Sequence, residues 1–165
     1  MRSAAQQLIQ ILAPAGSALS RPSLRRLVRD MIDHEKNWSN YQIDVFFVDV
    51  QSIRKLKRKY FGLNRMTDVI SLNYSTSPGF LQGEIYICLE VARKQAAEFG
   101  TSRQEELLRL TAHGLLHLFG HSDENEERRR AMHLRENRAL LRLRKKTTKQ
   151  NKASTKPRNI IRRTV

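Results

Sequence analysis

His113-Gly114-Leu115-Leu116-His117-Leu118-Phe119-Gly120-His121-Ser122-Asp123 sets two histidines four residues apart inside an apolar run. A helix turns once every ~3.6 residues, so both imidazoles share one face and can address one divalent ion. Gly120 follows His117 by three residues. Lacking a β-carbon, it can take the left-handed conformation that ends a helix. The chain can then double back and offer a third ligand from His121 or Asp123. Three protein ligands leave a position open for water, as a catalytic metal site requires. A lone histidine on an apolar face is usually a packed core residue. The pair followed by Gly, His and Asp favours a metal site instead.

Upstream, Thr101 or Ser102 can cap this helix, with Glu105 and Glu106 in the first turn where the helix dipole favours acids. Leu107, Leu108, Leu110, Leu115, Leu116 and Leu118 make it apolar on several sides. It is therefore expected to be the central, buried helix, running to Phe119. Leu8–Leu12 reads as a first strand. A helix over Ser23–Glu35 follows Arg21-Pro22, with Leu24, Leu27, Val28, Met31 and Ile32 at helical spacing. Ile43–Val48, Asp68–Leu72 and Glu84–Leu89 are β-rich runs. Between them, Asp49 can cap a basic helix over Gln51–Tyr60. Helices are also expected over Glu90–Phe99 and from Glu124 to Arg144.

The 165 residues fit one domain with one core. The formal net charge is +15, and eleven basic residues and no acids fall between Arg138 and Val165, which leaves +4 on residues 1–137. After Lys146 the chain is also poor in large apolar residues. The expected organisation is a folded domain over 1–145 and a basic, disordered tail over 146–165 that binds phosphates by releasing counterions. Cys88 is the only cysteine, so an internal disulfide is excluded and a reducing, cytoplasmic setting is expected. No apolar run approaches the ~20 residues of a membrane span. Arg2, Arg21, Arg25, Arg26 and Arg29, with no acid in residues 1–29, give the alternative of an organellar transit segment.

His113 to Asp123, together with Thr67-Asp68-Val69-Ile70-Ser71-Leu72 and Gly83-Glu84-Ile85-Tyr86-Ile87, resembles the YbeY family of metal-dependent endoribonucleases, which act in ribosomal RNA maturation. The three motifs match in order and spacing over roughly Ile43 to Arg135. The resemblance implies an α/β (α+β) domain, a small mixed sheet flanked by helices, with a zinc ion at the mouth of a basic groove. It implies His113 and His117 as the first two ligands. The family's third histidine falls on Asp123, a departure that leaves manganese or iron possible beside zinc. His121, two positions earlier, is the other candidate ligand, or a proton donor close by. Asp123 with Glu126 also has the spacing of a helix capping pair. A second departure is Phe61 after Tyr60, where the family carries an arginine. Arg65, then Arg58 or Lys59, could supply that cation.

Three functions compete. The first is an endoribonuclease whose metal activates water while basic residues hold the RNA backbone. The second is a zinc protease, weakened because Gly114 stands where such enzymes place a glutamate general base. The third is a non-catalytic ribosome-assembly protein, with ribosomal RNA and the small subunit or its associated proteins as partners in either RNA reading.

Overall fold

A computed structural model describes residues 7–154, with side chains placed through residue 148. Four strands and five helices follow one another as β1 (Gln7–Leu12), α1 (Arg21–Glu35), β2 (Asn40–Val48), α2 (Val50–Phe61), β3 (Val69–Asn73), β4 (Phe80–Cys88), α3 (Leu89–Glu98), α4 (Arg103–Leu118) and α5 (Glu126–Ser154). Each expected strand and helix is present, with ends shifted by a few residues except at the C-terminal end of α5. Of the arginines of the transit-segment alternative, Arg21, Arg25, Arg26 and Arg29 lie on α1 of the fold, and Arg2 lies outside the described residues.

The sheet order is β1-β2-β4-β3. β1 and β4 flank β2 in parallel, while β3 runs antiparallel on the outer side of β4. The strands alternate by the period of two expected of a sheet with one well-covered face. Tyr41, Ile43, Val45 and Phe47 of β2 and Leu81, Ile85 and Ile87 of β4 are buried. Against them pack Leu24, Leu27 and Val28 of α1 and Leu107, Leu115 and Leu116 of α4 in one core. A smaller cluster of Ile53, Ile70 and Cys88 seats α2 against β3 and β4. Cys88 is a buried free thiol, the packed core residue its apolar surroundings imply.

α4 is the central helix, and two bonds pin it to β3. Ser71 Oγ donates to the Gly114 carbonyl at 3.0 Å, and Asn73 Nδ2 donates to the Leu118 carbonyl at 2.9 Å. Gly114 lets the two come so close. A β-carbon there would lie 2.6 Å from Ile85 Cγ2 and 3.0 Å from Ser71 Oγ.

α5 departs most from expectation. It continues past Arg144 to Ser154, so residues 146–154 of the expected disordered tail are helical. Lys146 and Arg142 both hold the buried carboxylate of Asp30 on α1, which ties this part of the helix to the body. The remainder of the expected tail, 155–165, lies outside the described residues.

Candidate metal centre

The end of α4 builds the site. Gly120 has φ +95°, the left-handed geometry that a β-carbon disfavours. Its N–H donates to the His117 carbonyl at 2.9 Å, and the His121 N–H donates to the Leu116 carbonyl at 3.0 Å. This pair of bonds closes the helix in a Schellman turn and reverses the chain. The reversal carries Asp123 back over the two histidines.

His113 and His117 bring their Nε2 atoms within 3.1 Å of each other. Asp123 sets Oδ2 at 3.8 Å from His113 Nε2 and Oδ1 at 3.9 Å from His117 Nε2. One ligand atom from each of the three residues falls within a 4.8 Å group. Donor atoms around a tetrahedral zinc stand about 3.3 Å apart, so these separations bracket what one ion needs. Asp123 is free for this because Asn125 does the capping. Asn125 Oδ1 accepts the Arg128 N–H at 2.9 Å at the start of α5.

Each histidine is oriented from behind. His113 Nδ1 is 2.8 Å from Glu136 Oε1, and His117 Nδ1 is 3.1 Å from the His121 carbonyl. A carbonyl oxygen and a carboxylate can only accept, so Nδ1 carries the proton in both rings and Nε2 presents a lone pair. Two lone pairs facing each other at 3.1 Å repel unless a cation lies between them. Burial holds His117 below its ordinary pKa, and the neighbouring His113 adds to this, which favours the neutral ring a metal requires. Burial works the same way on His113, but the hydrogen bond to Glu136 and the charges of Glu136 and Asp123 together outweigh it and raise the pKa. Burial pushes Glu136 up, and the hydrogen bonds and charges of His113 and His133 together more than reverse that, so the carboxylate stays ionised.

Glu136 was not singled out in the sequence, although a signal was there. Met132, Ala139, Leu140 and Leu143 form the buried stripe of α5, and Glu136 sits in the middle of it, only 1% exposed. A charge on an apolar stripe needs partners, and it has three. His113 takes Oε1, while His133 at 3.2 Å and Arg109 at 3.4 Å take Oε2.

The two site arguments left open in the sequence come apart in space. His121 is not in the metal group. Its ring turns to the other side of the loop, where Nε2 lies 3.8 Å from Glu35 Oε1, and only its backbone carbonyl serves the site. Arg65 does line the cleft in front of the metal group, a cavity of about 570 Å³ shared with Lys57, Phe61, Asp68, His113 and Asp123. Arg58 instead donates to Asn64 at 3.1 Å, and Lys59 lies 5.0 Å over the Tyr60 ring. Lys57 is the cation that ranking by distance along the chain missed. It stands one turn before Phe61, with Nζ 4.6 Å from the centroid of that ring. Asp68 is fixed at the cleft wall, its oxygens accepting the Val69 N–H at 2.8 Å and Gln95 Nε2 at 3.0 Å.

Residues 15–144 match the family model described as Endoribonuclease YbeY. The chain is 36% identical over 136 residues to the Endoribonuclease YbeY of Chlorobaculum tepidum, covering 82% of this chain and 98% of that one. It is 33% identical over 135 residues to the Endoribonuclease YbeY of a Thermoanaerobacter species, covering 73% and 85%. Its fold matches the solution structure of a Thermotoga maritima protein with a TM-score of 0.60 at 25% identity, covering 91% of this chain and 98% of that one. Three motifs in series, the turn that returns Asp123 to the paired histidines, and relatives matched almost end to end agree: the chain belongs to the endoribonuclease YbeY family.

Proposed function

We propose that this chain is a zinc-dependent endoribonuclease that cuts single-stranded ribosomal RNA during its maturation, working on RNA presented by the assembling small subunit. The observation that carries this reading is the convergence of His113 Nε2, His117 Nε2 and the Asp123 carboxylate at a cleft that also holds Lys57 and Arg65. A bound divalent ion supplies a water of lowered pKa and polarises a phosphoryl oxygen. Two imidazoles and one carboxylate are an accepted zinc set, and they admit manganese or iron(II) as alternatives.

The protein's own residues do the rest. Lys57 and Arg65 hold the phosphate that enters the cleft and offset the negative charge that develops on it. Phe61 gives Lys57 a ring to rest on, which limits the wandering of a long side chain. Glu136 and the His121 carbonyl keep both imidazoles aimed. The His121 ring is turned away from the cleft, so proton delivery to a leaving oxygen falls to solvent or to another group there.

A protease reading meets a steric obstacle. A β-carbon at the position after His113 would press on Ile85 at 2.6 Å, so a side chain as large as glutamate would displace α4 from the sheet. No glutamate general base fits. The non-catalytic reading is separated by experiment. Purified full-length protein is mixed with ribosomal RNA, with and without chelator. Cleavage that disappears with chelator, and in a folded His117→Ala protein, supports the enzyme. RNA binding without any cleavage, in protein shown to contain metal, overturns it in favour of an assembly factor.

A further inference from the structure

Three hollows follow one another from the loop after α4, beside α5, to the seam where α5 meets α1. They begin on the other wall of the loop that closes the metal cleft. The cleft takes Asp123 from that loop, whereas the first hollow takes Gly120, His121 and Ser122, together with Arg128 and Arg135. The second, about 400 Å³, has His34, Glu35, Arg135, Arg138 and Arg142 in its walls. The third, about 270 Å³, has four cations, Arg25, Arg26, Arg29 and Lys146, against two acids, Asp30 and Asp33. Arg135 is common to the first two. Asp30 joins the second to the third, since its carboxylate holds Arg142 from one and Lys146 from the other.

Positive charge is left over along this line. Asp30 is fully used by its two cations. Glu35 stands between Arg135 at 3.9 Å and His121 at 3.8 Å. Arg25 reaches the Ile9 carbonyl at 3.5 Å, and Arg26 the Thr147 hydroxyl at 3.2 Å. Among the described residues, Arg29 and Arg138 have no carboxylate within ion-pair distance. Arginines brought together without matching acids repel one another. A bound polyanion removes that cost and is gripped by planar guanidinium forks.

We propose that the α1–α5 seam is a second RNA track, which holds the phosphate backbone of the strand outside the cleft. The proposal rests on the ribonuclease reading of the metal cleft. Arg135 and Arg142 are about 10 Å apart along α5 at ~1.5 Å rise per residue. The walls offer guanidinium groups and aliphatic surface from Met31 and Leu116, and no Phe, Tyr or Trp lines any of the three hollows. The track therefore reads backbone and not sequence. Its concave form suits a single strand better than a flat membrane surface.

The test uses the metal-loaded full chain and its Arg29→Ala/Arg138→Ala double variant, whose altered residues touch neither the cleft nor any described acid. Binding is read by fluorescence anisotropy on single strands of about 25 and about 5 nucleotides, the shorter filling only the cleft. Salt is varied between about 50 and 200 mM. The double variant should bind the long strand several-fold more weakly. Its slope of log affinity against log salt should flatten by about 1.4, since each single-strand phosphate contact contributes about 0.7. Binding and cleavage of the short strand should not change. Unchanged affinity and slope on the long strand overturn the track, and so does an equal loss on both strands. Arginine Nε–H signals of the wild-type chain give a second measurement that needs no variant. Arg138 should shift with the long strand and not the short one, and a silent Arg138 overturns the proposal. A wild-type chain that binds the long strand through Arg29 and Arg138 but cuts neither strand overturns the nuclease reading alone.

Discussion

Glu136 Oε1 lies 2.8 Å from Nδ1 of His113, so a carboxylate on α5 decides which nitrogen of a ring on α4 faces the metal group. The contact makes the ring more basic toward a cation and fixes its rotation. Glu136→Gln keeps the size and removes the charge. It should weaken metal affinity by about 10- to 100-fold. The measurement is competition against a chromophoric chelator, run beside thermal melting of the metal-free protein. A purely structural role predicts lower melting with unchanged affinity, and that result would remove Glu136 from the site.

The roles of Asp123 and His121 separate in the same assay. Asp123 faces both Nε2 atoms, and Asn125 rather than Asp123 caps α5. Asp123→Ala should therefore cost metal affinity while leaving the helix intact. His121→Ala keeps the backbone carbonyl that orients His117, so its effect should be smaller. The reverse order would mean that the loop rearranges when the metal binds. Asp123→His adds a third imidazole and should tighten zinc relative to manganese, because imidazole suits zinc better than it suits manganese.

The sequence carried the site's outline because its parts are local. Histidines at i and i+4, and the glycine that turns the chain, act within a few residues of one another. The strands and helices were legible for the same reason, through alternation in Ile43–Val48 and helical spacing in Leu24–Ile32. Alignment with the family favours Asp123 as the third ligand, but spacing alone also admits His121, since both follow the turn; the φ of Gly120 and the Asn125 cap fix the side each takes. Long-range pairs were out of reach. Glu136 finds His113 across 23 residues, and Lys146 finds Asp30 across 116. Lys146 looked like the start of a loose tail because its partner is an acid hidden on α1. Lys57 lies farther from Asp68 in sequence than Arg65, yet both line the same cleft.

Gly114 gives a stability prediction. A methyl there would press on Ile85 Cγ2 at 2.6 Å and Ser71 Oγ at 3.0 Å, so α4 must move off the sheet. Overpacking of this kind costs about 1–3 kcal/mol. In a domain of this size each kcal/mol lowers the melting temperature by roughly 2–4 °C. Gly114→Ala should melt lower and bind metal less well, because His113 and His117 ride on the displaced helix. Ile85→Ala removes the obstructing methyl. In a double-mutant cycle the glycine substitution should then cost less than it does alone. Equal costs in both backgrounds would show that the contact is not the cause.

Asp30 makes acid stability and chain length two readings of one interaction. Burial raises its pKa, but hydrogen bonds from Lys146 and Arg142 outweigh burial and hold it below the usual carboxylate value. A carboxylate depressed on folding contributes stability that is full above its unfolded value, about 3.9, and lost as pH falls through its folded value. Unfolding free energy should therefore drop below about pH 4 in the intact chain. The drop should be shallower in Asp30→Asn, which also loses on the order of 2 kcal/mol at neutral pH with its charged bonds. Ending the chain after Lys145 removes one of the two cations. Because Lys146 is more than half exposed, the loss should be smaller, about 1 kcal/mol or less. Ending it after Ser154 keeps the pair and should leave the acid limb of the curve as it is in the full chain. Denaturant melts of the three lengths and of Asp30→Asn, taken from pH 3 to 7, measure all of this. If the chains ending at residues 145 and 154 give the same acid limb, Lys146 contributes nothing to Asp30, and Arg142 alone holds it.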